Sequence, residues 1–365
     1  MIMHLYFARL FLRFIIIVGV AFVLLLQTFD MVEQLRKFGD ADITFAEILR
    51  LSLLNVPTAL YTILPLIVIL ATLANYLSLA RSSELVVTRA AGRSAMSSLI
   101  SPVVTAFCLG MIAVAFFNPI VASTQKQYEL LSNQYKTGER SILSISKEGL
   151  WLRQGNASGQ TVIQAAETNL DGTSLSDVTF LSFNKEGTPS ERIVADSATL
   201  RNGFWVLTKA KIWTLDQTDN PERDARIYEQ YELRSNLTRQ QIRDSFGTPS
   251  AIPIWELPSF IKSLNTAGFS SRQHQVWFQM ELAQPLLFVA MVLIGAAFTM
   301  RHTRFGRTGT LVLAAILTGF GLFFIRNFAQ ALGESGQIPI VAAAWTPPIA
   351  GILLALGLIL HLEDG

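Results

Sequence analysis

A single cysteine, Cys108, stands among 365 residues, which excludes an internal disulfide framework and any cysteine-based zinc cluster. Histidine is nearly as scarce. His4, His274, His302 and His361 form no HExxH pair and gather no neighbouring ligands into zinc spacing. The sequence also lacks a GxSxG elbow and a catalytic Cys–His arrangement. With no G-x-x-x-x-G-K-[ST] phosphate loop, nucleotide hydrolysis by that route is closed as well. Charge is in shortest supply: 15% of residues are charged, where a soluble domain carries about 25%. Hydrophobic residues reach 51%, mean hydropathy is +0.40, and the net charge of +2 gives no footing for a nucleic-acid partner. These shortages argue against an enzyme and for a membrane protein.

What is present is unevenly spread. Positions 124–275 hold 34 of the 56 acidic and basic residues, 17 of each sign, and the other 213 positions hold 22. Outside that polar insert lie six charge-free runs, at 14–29, 51–80, 94–125, 282–300, 308–325 and 335–362. A helix needs about 20 apolar residues to cross a bilayer, so each run is a candidate span. The first is the shortest, continuously apolar only over 14–26. Arg9 and Arg13 precede it as in a signal peptide, but no small-x-small cleavage site follows before Asp30, so it reads as a retained helix.

Basic residues in short loops set orientation. An inside N-terminus puts eight in the cytoplasm: Arg9, Arg13, Arg81, Arg89, Arg93, Arg301, Arg304 and Arg307. Three fall outside, Arg36, Lys37 and Arg50, diluted by five acids between Asp30 and Glu47. Both termini are therefore expected in the cytoplasm, with the insert outside, in the periplasm if the cell is bacterial. The expected organisation is helices 1–3 over 1–123, the insert over 124–275, and helices 4–6 over 276–365.

The insert reads as β-rich. Runs at 161–165, 178–183, 193–200 and 205–215 are rich in β-branched and aromatic residues. Turn signals at Gly155-Asn156, Asp171-Gly172, Lys185-Glu186-Gly187 and Asn202-Gly203 break them. The stretches 149–152 and 203–207 look alike and suggest repeated strand geometry. Helix is expected over 118–133 and again over 254–267. Strands of this length and spacing fit a twisted antiparallel sandwich or open barrel.

The loop after the second run is the most informative segment. Ser82 or Ser83 can cap a helix, and Glu84 falls in its first turn, where the dipole favours an acid. Leu85, Thr88 and Ala91 or Gly92 share a face, and Gly92 stops the helix. A short helix of this kind, at about 82–92, offers aliphatic side chains and one anchoring charge to a groove; it is equally readable as an ordinary basic loop.

Arg81–Ser94 resembles the coupling-helix segment of the LptF/LptG (YjgP/YjgQ) permease family, which exports lipopolysaccharide. Positions 32–37, Gln284-Pro285-Leu286 in the fourth run, and Ile338-Pro339 through Pro347-Pro348 carry the likeness along the chain, and the Ser-Glu-Leu-Val-Val wording leans toward the LptG half. The resemblance implies an α+β membrane protein: six transmembrane helices with a periplasmic β-jellyroll inserted between helices 3 and 4. It implies a non-catalytic half-transporter without a cofactor of its own. The expected partners are an LptF-like second permease, a cytoplasmic LptB ATPase dimer that uses ATP, and a single-span LptC-like jellyroll protein. Ser83, Glu84, Leu85, Val86, Arg89 and Gly92 would seat in the ATPase, and helices 1 and 5 would line the gate for lipid. The jellyroll would stack edge to edge with similar folds, its exposed sheet edge serving as a joint.

A carrier of acyl chains and phosphates needs cations near the outer rim of its cavity. Arg36, Lys37, Lys136 and Arg140 are placed to meet phosphates, and Arg36–Lys37 coincides with basic positions of the family. Two positions depart from the family, which commonly has lysines where this chain has Asp30 and Glu281. Arg326, inside the fifth run, is an expensive intramembrane charge. At about 1.5 Å per residue it lies about 27 Å from Thr308, so Asp30, Glu281 and Arg326 are expected in one layer. Arg326 would supply the rim cation that helices 1 and 4 lack, held by Asp30 or Glu281 when lipid is absent; the alternative is a structural ion pair. Other readings are an ABC-type permease for another lipid or lipoprotein, and a membrane-anchored periplasmic binding or assembly module. A secondary transporter would want an inverted repeat, and the two halves show none.

Overall fold

A computed structural model of the chain describes residues 2–39, 43–84, 87, 90, 95–137, 144–146, 149–156, 159–168, 173–184, 187–201, 203–216, 220–235, 248–266, 270–300 and 308–363. It divides into a helical unit, Met1–Lys136 with Ser250–Trp255 and Arg272–Gly365, and a β unit, Thr137–Pro249 with Glu256–Ser271.

Among the described residues the helical unit holds six helices long and apolar enough to cross a membrane. The first two are α1 (Ile2–Lys37) and α2 (Phe45–Arg81). The third span is compound: α3 (Ala95–Ile112), a π-helical turn (Ala113–Phe117) and α4 (Asn118–Thr137). After the β unit come α6 (Arg272–Thr299), α7 (Thr308–Glu334) and α8 (Ile340–Glu363). Local chemistry sets some ends. The Thr44 N–H donates to the Glu47 carboxylate at 2.7 Å, which fixes the start of α2. Arg36 and Lys37 close α1 where its dipole favours cations.

α6 is the centre of this unit, buried over 83% of its most apolar stretch, against 6% for α1 and 22% for α7. Small residues let the other helices reach it. A Cβ on Gly110 of α3 would lie 2.5 Å from the Pro285 Cα of α6, so the two backbones touch there. One on Gly295 would meet Thr72 of α2 at 2.9 Å. Arg272, at the start of α6, donates to the Gly333 and Ile338 carbonyls at 2.6 Å each and closes the C-terminal end of α7.

In the β unit, strands β1 (Ser144–Ser146), β2 (Gly149–Asn156), β3 (Gly159–Thr168), β4 (Ser174–Asn184), β5 (Pro189–Arg201), β6 (Phe204–Thr214) and β7 (Arg226–Arg234) form one antiparallel sheet. Among the described residues they pair in sequence order without a crossover, as an up-and-down meander. The turn glycines Gly187 and Gly203 have φ of +81° and +83°, a conformation that costs glycine nothing. One face carries the core, with Ile163, Phe180, Ile193, Trp205 and Leu207 fully buried. Phe260 and Leu264 of the short helix α5 (Leu257–Thr266) pack on that same core. The two look-alike stretches differ in burial: Trp205 is fully buried, Trp151 only partly.

Three adjacent strands slip phase at one level. Buried residues run Leu175, Val178 in β4, Ala195, Ala198 in β5 and Leu207, Ala210 in β6, three apart instead of two. Ladder pairing jumps from Ser176↔Ser197 to Val178↔Ala195, and Asp177 and Lys209 take φ of +49° and +51°. The register is the same on both sides of this level, so the neighbouring strands turn over together and the apolar row keeps facing inward.

Candidate functional site

Two places in the helical unit gather the residues singled out from the sequence. At the first, α2 ends at Ser82, whose N–H donates to the Ser78 carbonyl at 3.0 Å. Ser83 then turns left-handed, with φ of +60°. Its carbonyl accepts the Val87 N–H at 3.1 Å, which makes Ser83 the N-cap of a new helical turn begun by Glu84. The Ser82 hydroxyl donates to the Glu84 carboxylate at 2.8 Å, and the Tyr6 hydroxyl hydrogen-bonds the same carboxylate. Met3, Tyr6 and Phe7 of α1 line one shallow pocket together with Ser82, Glu84 and Val87. The first turns of α1 therefore hold the acid at the head of this segment, a contact that inspection of the loop alone does not reveal. Leu85, Val86, Thr88, Arg89, Ala91, Gly92 and Arg93 lie outside the described residues.

The second place is the polar material of the spans. Lys37 donates to the Tyr128 hydroxyl at 3.1 Å, and its ammonium stands 5.5 Å from that ring's centre. Arg36 pairs with Glu33 at 3.0 Å, both largely exposed, so the pair is worth little on its own. Asp30 accepts from Asn55 of α2 at 2.6 Å and from Gln34 at 3.4 Å. Lys136 falls in the last turn of α4; Arg140 lies outside the described residues.

Deeper along α2, a buried cluster joins four spans. The Tyr61 hydroxyl donates to the Glu281 carboxylate of α6, and the Asn118 side chain hydrogen-bonds that carboxylate too. Tyr61, Asn118, Glu281 and Gln284 are each at most 4% exposed. Arg326 of α7 completes the cluster, itself 8% exposed. It donates to Asn327 at 3.2 Å and to Gln284 at 3.5 Å, and its guanidinium and the Glu281 carboxylate act on each other's charge. A guanidinium has five N–H donors, and these two contacts are long ones. Asn55 and Tyr61 are six residues apart, about 9 Å along α2. The structure thus puts Asp30 and Glu281 at different depths, Asp30 with Asn55 and Glu281 with Arg326.

Tyr61, Asn118, Asn55 and Gln284 escape a search of the sequence for charge, because each is a neutral polar residue inside a charge-free run. Their signal is their rarity in such runs, where a hydrogen-bonding side chain needs a partner on another helix.

Comparison with known proteins places this arrangement. The family model described as "Lipopolysaccharide export system permease LptF/LptG" matches residues 5–361. The chain is similar to the "Lipopolysaccharide export system permease protein LptG" of Escherichia coli (strain K12), 25% identical over 338 residues that cover 90% of each protein. It is also similar to the protein of the same description from Haemophilus influenzae (strain ATCC 51907 / DSM 11121 / KW20 / Rd), 24% identical over 338 residues and 91% of each.

Proposed function

This chain belongs to the LptF/LptG family of lipopolysaccharide export permeases, and on that premise we propose that it is the LptG-type half of an exporter that lifts lipopolysaccharide out of the inner membrane. As a family member it is a multi-pass inner-membrane permease subunit, not a catalytic enzyme. In this reading a cytoplasmic LptB-type ATPase dimer burns the ATP, an LptF-like permease forms the other wall of the cavity, and an LptC-like protein continues the path. The chain needs no cofactor of its own. Both termini face the cytoplasm, and the β unit faces the periplasm as the first segment of an apolar, jellyroll-type bridge toward the outer membrane. One observation carries the reading: a family match running from residue 5 to residue 361, over six spans with an antiparallel sheet between the third and fourth.

The burial of the helices supports the division of labour. α1 and α7 leave most of their apolar surface uncovered, with Leu24, Phe29, Leu317 and Phe324 each more than half exposed. They are the faces suited to lipid and to a second permease. Ser83 and Glu84 head the segment that seats in the ATPase, followed by Leu85, Val86, Arg89 and Gly92. Arg36, Lys37, Lys136 and Arg140 supply cations at the outer rim. Arg326 acts as the deeper phosphate ligand, its long contacts to Asn327 and Gln284 giving way to phosphate oxygens, with Glu281 balancing its charge when lipid is absent.

Purification from the native membrane tests the reading, with wild type beside Glu84→Ala and bound protein and lipid identified by mass spectrometry. Wild type is expected to bring down an ATPase and lipopolysaccharide, and Glu84→Ala to lose the ATPase. Wild type emerging from gentle extraction without an ATPase would refute the docking role.

A further inference from the structure

The third span is interrupted where its five-residue π turn, Ala113–Phe117, passes the buried Glu281 cluster. A π turn takes carbonyls out of the regular ladder and is found mostly where a helix does something besides span. Here the displaced Ala115 carbonyl has a partner, the Trp255 indole N–H at 3.2 Å. The next acceptor along the span is used in the same way: the Asn118 side-chain oxygen takes the Ile254 backbone N–H at 2.9 Å. Ile254 is 3% exposed and Asn118 2%, so neither group has water to turn to. Both donors lie in Ser250–Trp255, a short stretch that belongs to the helical unit although the chain on either side of it belongs to the β unit. On its other side the π turn packs Phe117 against the Tyr61 ring, centres 5.7 Å apart. Tyr61 and Asn118 both bond Glu281. A continuous set of hydrogen bonds and ring contacts thus runs from Trp255 and Ile254 through the π turn to Glu281.

We propose that Asn118 and Trp255 are positioning residues for lipid transfer: they fasten the return strap, Ser250–Trp255, to the π turn, so that strap and Glu281 cluster move as one piece. The inference rests on the permease reading and extends it. Residue 256 re-enters the β unit, so a strap fixed to the third span ties the chain entering that unit to the Glu281 cluster. Trp255 is 69% exposed, and its indole therefore needs no hydrogen bond to escape burial. The bond it makes locates the strap.

The test uses the full chain with its ATPase in vesicles containing lipopolysaccharide. It compares wild type, Trp255→Phe and Asn118→Ala, with Trp345→Phe as a control that removes an indole bond to Gln279 elsewhere in the same unit. Hydrogen exchange at the Ile254 amide is expected to speed up about ten-fold in Asn118→Ala, as for the loss of one ordinary hydrogen bond, while peptides from α6 stay protected. Lipopolysaccharide captured by a photoreactive residue in place of Tyr231, on the β7 strand against the β-unit core, per ATP hydrolysed, is expected to fall about five-fold in both variants and not in the control, a size typical of residues that couple sites without touching ligand. Trp255→Phe keeps the assay readable if Asn118→Ala does not fold. Unchanged exchange at Ile254, or unchanged capture per ATP in Trp255→Phe, overturns the proposal. A wild-type chain that hydrolyses ATP with its partner yet delivers no lipopolysaccharide refutes the permease reading and this inference with it.

Discussion

Removing Arg326 separates a lipid ligand from a structural counter-charge. Arg326→Met removes a cation whose charge acts on the buried Glu281 carboxylate, and breaking a buried charge pair in direct contact would cost about 3–5 kcal/mol. Here the cost is smaller, because Tyr61 and Asn118 still donate to the carboxylate and each such bond to a charged group is worth about 1.5–3 kcal/mol. A loss of roughly 2 kcal/mol corresponds to about 4–8 °C in the melting temperature of a unit this size. Glu281→Gln alone keeps the shape and the Tyr61 contact but strands the guanidinium, for a similar loss. In the double variant neither charge is left unmatched, and most of the stability returns. Thermal melts of the four proteins close the cycle. Lipopolysaccharide-stimulated ATPase activity of the same four then decides the role. A phosphate ligand predicts a double variant that is stable and inactive. If the double variant regains both stability and activity, Arg326 is a structural charge and the ligand assignment is refuted.

Two further outcomes follow from the packing and the charges. Gly110→Ala puts a Cβ 2.5 Å from the Pro285 backbone, which cannot swing aside, so the melting temperature of the full chain falls by an amount equivalent to about 1–3 kcal/mol. Gly309→Ala, with open space at its Cβ, leaves it nearly unchanged. In the β unit, burial and, behind it, the Asp216 charge raise the Glu191 carboxyl above its usual range. The folded unit then holds that proton to higher pH than the unfolded chain, so the stability it confers is complete below about pH 4.3 and is lost as pH rises through the raised folded value. Glu191→Gln is therefore expected to raise the β unit's melting temperature at pH 8 and leave it unchanged at pH 4. An equal effect at both pH values would refute the assignment.

Much of the architecture is legible without coordinates, for a physical reason in each case. The charge-free run at 282–300 marks a span because a charge in hydrocarbon is costly, and α6 occupies it. Asn202-Gly203 marks a turn because glycine alone accepts φ of +83° freely. Alternation locates β5 at 193–200, yet it cannot show the slip between Ala195 and Ala198, since one break in phase looks like noise until the neighbouring strands are seen to break with it. The site residues divide in the same way. Glu84, Lys37, Glu281 and Arg326 announce themselves as charges. Tyr6, Tyr61, Asn118 and Trp255 do not, because their importance lies in partners 78 to 220 positions away.

The amino-acid order by itself determined which segments are apolar enough to leave water, because transfer from water depends on composition over about 20 consecutive residues. Only the tertiary structure decided which apolar helix is buried within the chain and which is left uncovered. α1 is more apolar than α6, yet α1 is 6% buried over its apolar window and α6 83%. Lipid tails are as apolar as leucine side chains, so hydrophobicity cannot choose between them. The choice falls to small residues and hydrogen bonds: Gly110 against Pro285, Gly295 against Thr72, and Tyr61 and Asn118 on Glu281. Those contacts put α6 at the centre and leave α1 and α7 open.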